Sequence, residues 1–164
     1  MPARRRLEGR RCLVTGGSRG LGLELALAFA GEGARIAITY WRDDGDAAEA
    51  AGRLRAAGAE PLVFKGSVAD KAHVVETVRS LVAAWGGVDV LVNNAGLTQI
   101  LPIALLEEED WDLVMDVNVK GAYLMSRACL RHMIKARRGH ILNGGNFASE
   151  RVIEAPIHYA ASKS

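Results

Sequence analysis

Short apolar runs alternate along this chain with longer stretches whose apolar residues recur every three or four positions. The short runs predict strands at residues 12–15, 35–39, 61–65, 88–93 and 140–143. The longer stretches predict helices at 20–31, 46–57, 71–85 and 107–138. In the third helix Val74, Val78, Leu81, Val82 and Trp85 share one face, a 3.6-residue period. The fourth opens on Glu107, Glu108, Glu109 and Asp110 and closes on Lys135, Arg137 and Arg138. Those charges suit the two ends of a helix dipole, with Gly139 as the expected C-terminal cap. Ile36-Ala37-Ile38 is continuously apolar, as a strand covered on both faces should be. Strand–helix alternation of this kind predicts right-handed crossovers. The expected fold is α/β, a doubly wound parallel sheet of Rossmann type with helices on both faces.

Composition narrows the function classes. The 164 residues read as a single domain, 1–164, with 49% hydrophobic and 24% charged residues. A net charge of +2 is too small to point to nucleic acid as the main partner. Arg4, Arg5, Arg6, Arg10 and Arg11 read as a solvated basic start. No signal-peptide core follows them, and no apolar stretch is long enough to span a membrane. Cys12 and Cys129 suggest no disulfide framework, so a cytoplasmic location is expected. His73, His132, His140 and His158 show no ligand spacing with the cysteines, and no metal site is expected.

The first strand runs into Thr15-Gly16-Gly17-Ser18-Arg19-Gly20-Leu21-Gly22 and then into a helical pattern. Strand, glycine turn and helix in that order let a backbone approach a pyrophosphate and aim helix N–H groups at it. Side chains at Gly16 or Gly20 would fill the phosphate space, and Gly22 would let the helix pack close on the strand. The expected ligand is a dinucleotide.

Three further motifs follow: Asn93-Asn94-Ala95-Gly96, Asn118-Val119-Lys120-Gly121 and Tyr159-Ala160-Ala161-Ser162-Lys163. In this order the four motifs resemble the classical short-chain dehydrogenase/reductase family, most like its 3-oxoacyl-(acyl-carrier-protein) reductases. The resemblance runs from about Leu7 to Ser164. It implies that Tyr159 moves a proton to or from the substrate oxygen. It implies that Lys163 also holds the nicotinamide ribose, and that Asn118 holds a relay water. On the residues alone, Tyr159 and Lys163 at i and i+4 share one helix face, where an ammonium favours phenolate. Asn118 read alone is a buried amide at a helix kink that Gly121 accommodates. Asn93 is expected to tie adjacent strand ends.

The resemblance lays the nucleotide along Thr15, Gly16, Ser18, Arg19, Gly20, Leu21 and Gly22, then Tyr40 and Arg42. It continues past Ser67 and Val68 to Asn94, Ala95, Gly96, Tyr159 and Lys163. An acid at the end of the second strand would repel a 2′-phosphate, and Tyr40 stands there instead. Arg19 and Arg42 offer cations, so NADP(H) is favoured over NAD(H).

Three departures from the family pattern stand out. Asn146 replaces the serine that donates to the substrate carbonyl, and Ser149 is too far along to substitute. Ser67 replaces an acid that contacts adenine. The chain ends one residue after Lys163, so the domain is expected to lack the last strands of the family fold. The expected function is hydride transfer between NADP(H) and a carbonyl or alcohol, in a protein that forms homo-oligomers as the family does. The alternative is a nucleotide-binding but catalytically impaired member acting in hetero-oligomers.

Overall fold

The computed structural model describes residues 5–146 and 154–164. Arg4 and Ser149 lie outside the described residues. The elements run β1 (Arg11–Val14), α1 (Gly20–Gly31), β2 (Arg35–Tyr40), α2 (Asp44–Ala56), β3 (Leu62–Lys65) and α3 (Lys71–Trp85). They continue with β4 (Val90–Asn93), α4 (Glu108–Met115), α5 (Gly121–Ala136), β5 (His140–Asn143) and α6 (Ile157–Lys163). The strands form one sheet in the order β3-β2-β1-β4-β5, every pair parallel. The order reverses between β1 and β4, so a crevice opens beyond the C-terminal ends of those two strands.

Strand alternation sorts β1 into two cores. Cys12 and Val14 join Ile36, Ile38 and Val92 under Leu23, Ala26 and Leu54 of α1 and α2. Leu13 joins Ala37 and Leu91 on the other face, under Val74, Val78 and Leu81 of α3 and Met125 and Cys129 of α5. Both thiols are free, and burial pushes each up to about 12, which makes them packing residues.

At the opposite end of the strands from the crevice, a buried carboxylate ties the sheet together. Asp89 accepts from Arg11 Nε and Nη2, both at 2.8 Å, and pairs with Arg138 Nε at 3.0 Å. The Arg11 side chain is the main cause that holds the Asp89 carboxyl down at about 2.

The region expected as one helix over 107–138 is interrupted. Residues 116–120 form a turn of π-helix between α4 and α5. Gly139 is not the cap of α5, because Arg137 takes the left-handed conformation there, φ 51°. Gly139 is instead packed so closely that a Cβ would strike the Met133 side chain. Pro156 occupies the cap position of α6, one place ahead of its first helical residue. Among the described residues β5 is an edge strand, with Leu142 half exposed. No helix among the described residues is long and apolar enough to cross a membrane.

Candidate active site

The crevice beyond β1 and β4 is a cleft of about 640 Å³. Gly16, Ser18, Arg19, Gly20, Leu21, Gly22, Tyr40, Arg42, Ser67, Val68, Asn94, Ala95 and Gly96 all line it. Thr15 does not, and its side chain is buried within the wall. Its hydroxyl donates to Val92 O (3.2 Å) and accepts from Asn94 N (3.0 Å) and Ala95 N (2.9 Å). The Asn94 carboxamide returns the link, donating to Thr15 O and Gly16 O at 3.0 and 3.1 Å. Thr15 therefore locks the end of β1 to the end of β4.

The glycines of the turn have distinct jobs. Gly16 sits at φ +64°, and a Cβ there would come within 3.0 Å of Ala95 Cα. Gly22 lies so close to Gly16 O and Asn94 Nδ2 that a Cβ would strike both. Both positions are required for wall packing, whereas the sequence suggested phosphate clearance at Gly16. Gly17, which sequence reading did not single out, would drive a Cβ to 2.8 Å from Ile38 Cβ. Gly20 is different: at φ +54° it faces open space, with nothing within 4 Å of its Cβ position.

Helix α1 begins at this open point. Its cap residue, Arg19, makes no side-chain capping bond, and the first turn contains no acid. Uncapped N–H groups carrying the positive end of the helix dipole face the cleft. This end of the cleft fits the pyrophosphate of a dinucleotide: it has donors, no acid in the helix's first turn, and room at Gly20.

Beside the cleft, next to Gly96, stand α6 and the segment after β5, although none of their described residues is among those that line it. Asn146 Nδ2 donates to the Tyr159 hydroxyl oxygen at 2.7 Å. Lys163, one turn on from Tyr159, donates to Gly144 O at 2.8 Å. Its Nζ lies 3.6 Å from where a Gly96 Cβ would be, beside the cleft. Burial lowers the Lys163 pKa from its usual value. Gly144 is a partner that the sequence did not reveal, since it acts through its carbonyl.

Asn118 sits in the π turn and is nearly buried. Its Oδ1 accepts from Leu97 N at 2.9 Å, and its Nδ2 donates to Leu97 O at 3.0 Å and Ser162 Oγ at 2.9 Å. The carboxamide thus clasps the segment after β4 to α6, the structural role read for a buried amide. Gly121 has a further reason to be small, because a Cβ there would meet Val68 Cγ2 at 2.6 Å. Asn93 donates to Asn143 Oδ1 at 2.8 Å and ties β4 to β5. Ser67 Oγ accepts from Ala69 N at 3.2 Å while lining the cleft.

At the β2 end, Tyr40 donates its hydroxyl to Asp44 at 2.8 Å, and Lys65 pairs with the same carboxylate at 2.8 Å. Arg42 stacks on Trp41, and Arg19 pairs with Asp46. Trp41 and Asp46 also line the cleft. They escaped the sequence reading, although Trp41 directly precedes an arginine at the end of a strand.

Comparison with known proteins identifies relatives of the chain and of its fold. The short chain dehydrogenase family matches residues 10–164. The chain is 37% identical over 160 residues to the 3-oxoacyl-(acyl-carrier-protein) reductase FabG of Thermotoga maritima, covering 97% of this chain and 64% of that one. A reductase of the same name from Staphylococcus epidermidis is 34% identical over 152 residues, covering 93% of this chain and 62% of its own. The chain therefore spans less than two thirds of these relatives' length. A metagenomic short-chain oxidoreductase solved in complex with NADP superposes with a TM-score of 0.89 at 34% identity, covering 96% of this chain and 71% of that one. With almost all of its length matched and its fold shared, the chain belongs to the short-chain dehydrogenase family.

Proposed function

We propose that this protein is an NADP(H)-dependent oxidoreductase that interconverts a small-molecule carbonyl and its alcohol. One observation carries the reading: the Tyr159 hydroxyl with its Asn146 donor, and Lys163 against Gly96, stand beside a cleft that begins at the uncapped end of α1. When bound, a nicotinamide supplies hydride to the carbonyl carbon or takes it from the alcohol. Tyr159 gives its proton to the carbonyl oxygen in the reductive direction and recovers it in the other. Asn146 N–H keeps donating to the tyrosine oxygen as it becomes phenolate, whereas the family's serine at this position donates to the substrate carbonyl. Lys163 adds a positive charge one helical turn away.

Arg19 and Arg42 in the cleft, with no acid at Tyr40, favour NADP(H) over NAD(H). The relative solved with NADP supports the same preference. On α5, Tyr123, Leu130 and Ile134 form an exposed apolar stripe at i, i+7 and i+11, which favours a homo-oligomer. Two buried free thiols favour a reducing, cytoplasmic compartment.

Asn146 itself favours a second reading, a nucleotide-binding protein with impaired turnover. A single experiment separates the two: titration with NADPH, then ketone-dependent NADPH oxidation by the wild type and Asn146→Ser. Turnover by the wild type is the expected result. Binding without turnover, with activity arising in Asn146→Ser, establishes the second reading. Loss of nucleotide binding altogether overturns both.

A further inference from the structure

Two arginines reach the part of the cleft beyond Tyr40, and their surroundings differ. The Arg42 guanidinium lies over the Trp41 ring, 3.6 Å from its centroid. Arg19 Nη1 is directed instead to Asp46 Oδ2 on α2, at 3.6 Å. The neighbouring carboxylates have other work. Asp43 accepts from Asp46 N and caps α2, and Asp44 holds Tyr40 and Lys65.

We propose that Trp41 and Asp46 set the preference for a 2′-phosphate by holding these two arginines in opposite ways. Trp41 is a positioning residue for Arg42. Stacking engages the flat face of the guanidinium and leaves its N–H edge to form paired bonds to a phosphate. Pre-orientation also removes rotamer freedom that an exposed arginine would lose on binding. Asp46 acts in the opposite sense. Its carboxylate already stands where an anion would approach Arg19, and a phosphate arriving there meets like charge. Arg42 is accordingly the phosphate-binding arginine, and Asp46 restrains the preference. The inference rests on the dinucleotide reading above.

The test is calorimetric titration of NADPH and NADH into the wild type, Trp41→Ala, Trp41→Phe and Asp46→Asn, each checked for an unchanged melting curve. Trp41→Ala is expected to weaken NADPH by about three- to five-fold more than NADH, the scale of an exposed cation–ring contact. Trp41→Phe, which keeps a ring face, should recover most of that loss. Asp46→Asn is expected to improve NADPH relative to NADH by about three-fold, the scale of one exposed charge pair. Equal losses for both nucleotides in Trp41→Ala, or an unchanged ratio in Asp46→Asn, overturn this inference and leave the dinucleotide reading standing. A wild type that binds neither nucleotide overturns both.

Discussion

Asn146 Nδ2 lies 2.7 Å from the hydroxyl oxygen of Tyr159 and donates a hydrogen bond to it. A carboxamide nitrogen cannot accept a proton in return, so the tyrosine hydrogen is left to point elsewhere. Asn146→Ala removes this donor and is expected to lower kcat by about a hundred-fold or more. NADPH affinity should change far less. Steady-state kinetics beside direct titration checks the split, and an equal loss in both would refute it.

Tyr159→Phe keeps the ring and deletes the proton. The expected outcome is a fall in kcat of about a hundred- to ten-thousand-fold, the usual value of positioned acid–base groups. Nucleotide binding by calorimetry should persist. Near-normal turnover would remove Tyr159 from the reaction.

Gly20 and Gly22 should respond differently to alanine. At Gly22 the new methyl would strike Gly16 O and Asn94 Nδ2, so stability should fall by about 1–3 kcal/mol in denaturant melts. At Gly20 the space is open and the cost is only the positive φ, about 1 kcal/mol. Gly20→Ala should nevertheless lose nucleotide affinity, because its methyl enters the open end of the cleft. Comparable unfolding by both variants would contradict the separation of roles.

Asp89 sets an acid limit on the fold. Its carboxyl is held at about 2 in the folded state, chiefly by Arg11, below the ordinary carboxylate range. Its contribution is therefore complete above about pH 4 and lost as pH falls through about 2. The size is about 2 kcal/mol. Asp89→Asn should flatten the acid side of a stability–pH curve measured by urea unfolding. It should also destabilise at neutral pH by about 3 kcal/mol, since Arg11 keeps its buried place without a counter-charge.

On α5, Ile134→Glu places a charge in the exposed apolar stripe. Light scattering should show a smaller species than the wild type, with the melting curve nearly unchanged. A wild type that is already monomeric would remove the stripe from any interface.

Much of this structure was legible in the chain. The predicted bounds of α1, α3 and β5 are those observed, because glycines and charges mark both ends of each pattern. The π turn at 116–120 was not legible. Val114 and Val117 are both buried, as an uninterrupted helix would also place them. Within the wider turn Asn118 bonds to Leu97 and Ser162, partners in distant segments that local periodicity does not announce. The same reason hid Trp41 and Asp46, whose importance lies in the arginine each one holds. The family resemblance lays the nucleotide along Thr15, whereas its hydroxyl serves the wall, since a motif does not say which way a hydroxyl turns.

The Thr15 hydroxyl accepts from two successive amides while donating to a third residue. A single oxygen thus acts as a rivet between two neighbouring strand ends, and neither can loosen by itself. Amide exchange at Asn94 and Ala95 should then proceed as one event. Whatever adaptability the protein has toward different guests must come from the far bank of the groove.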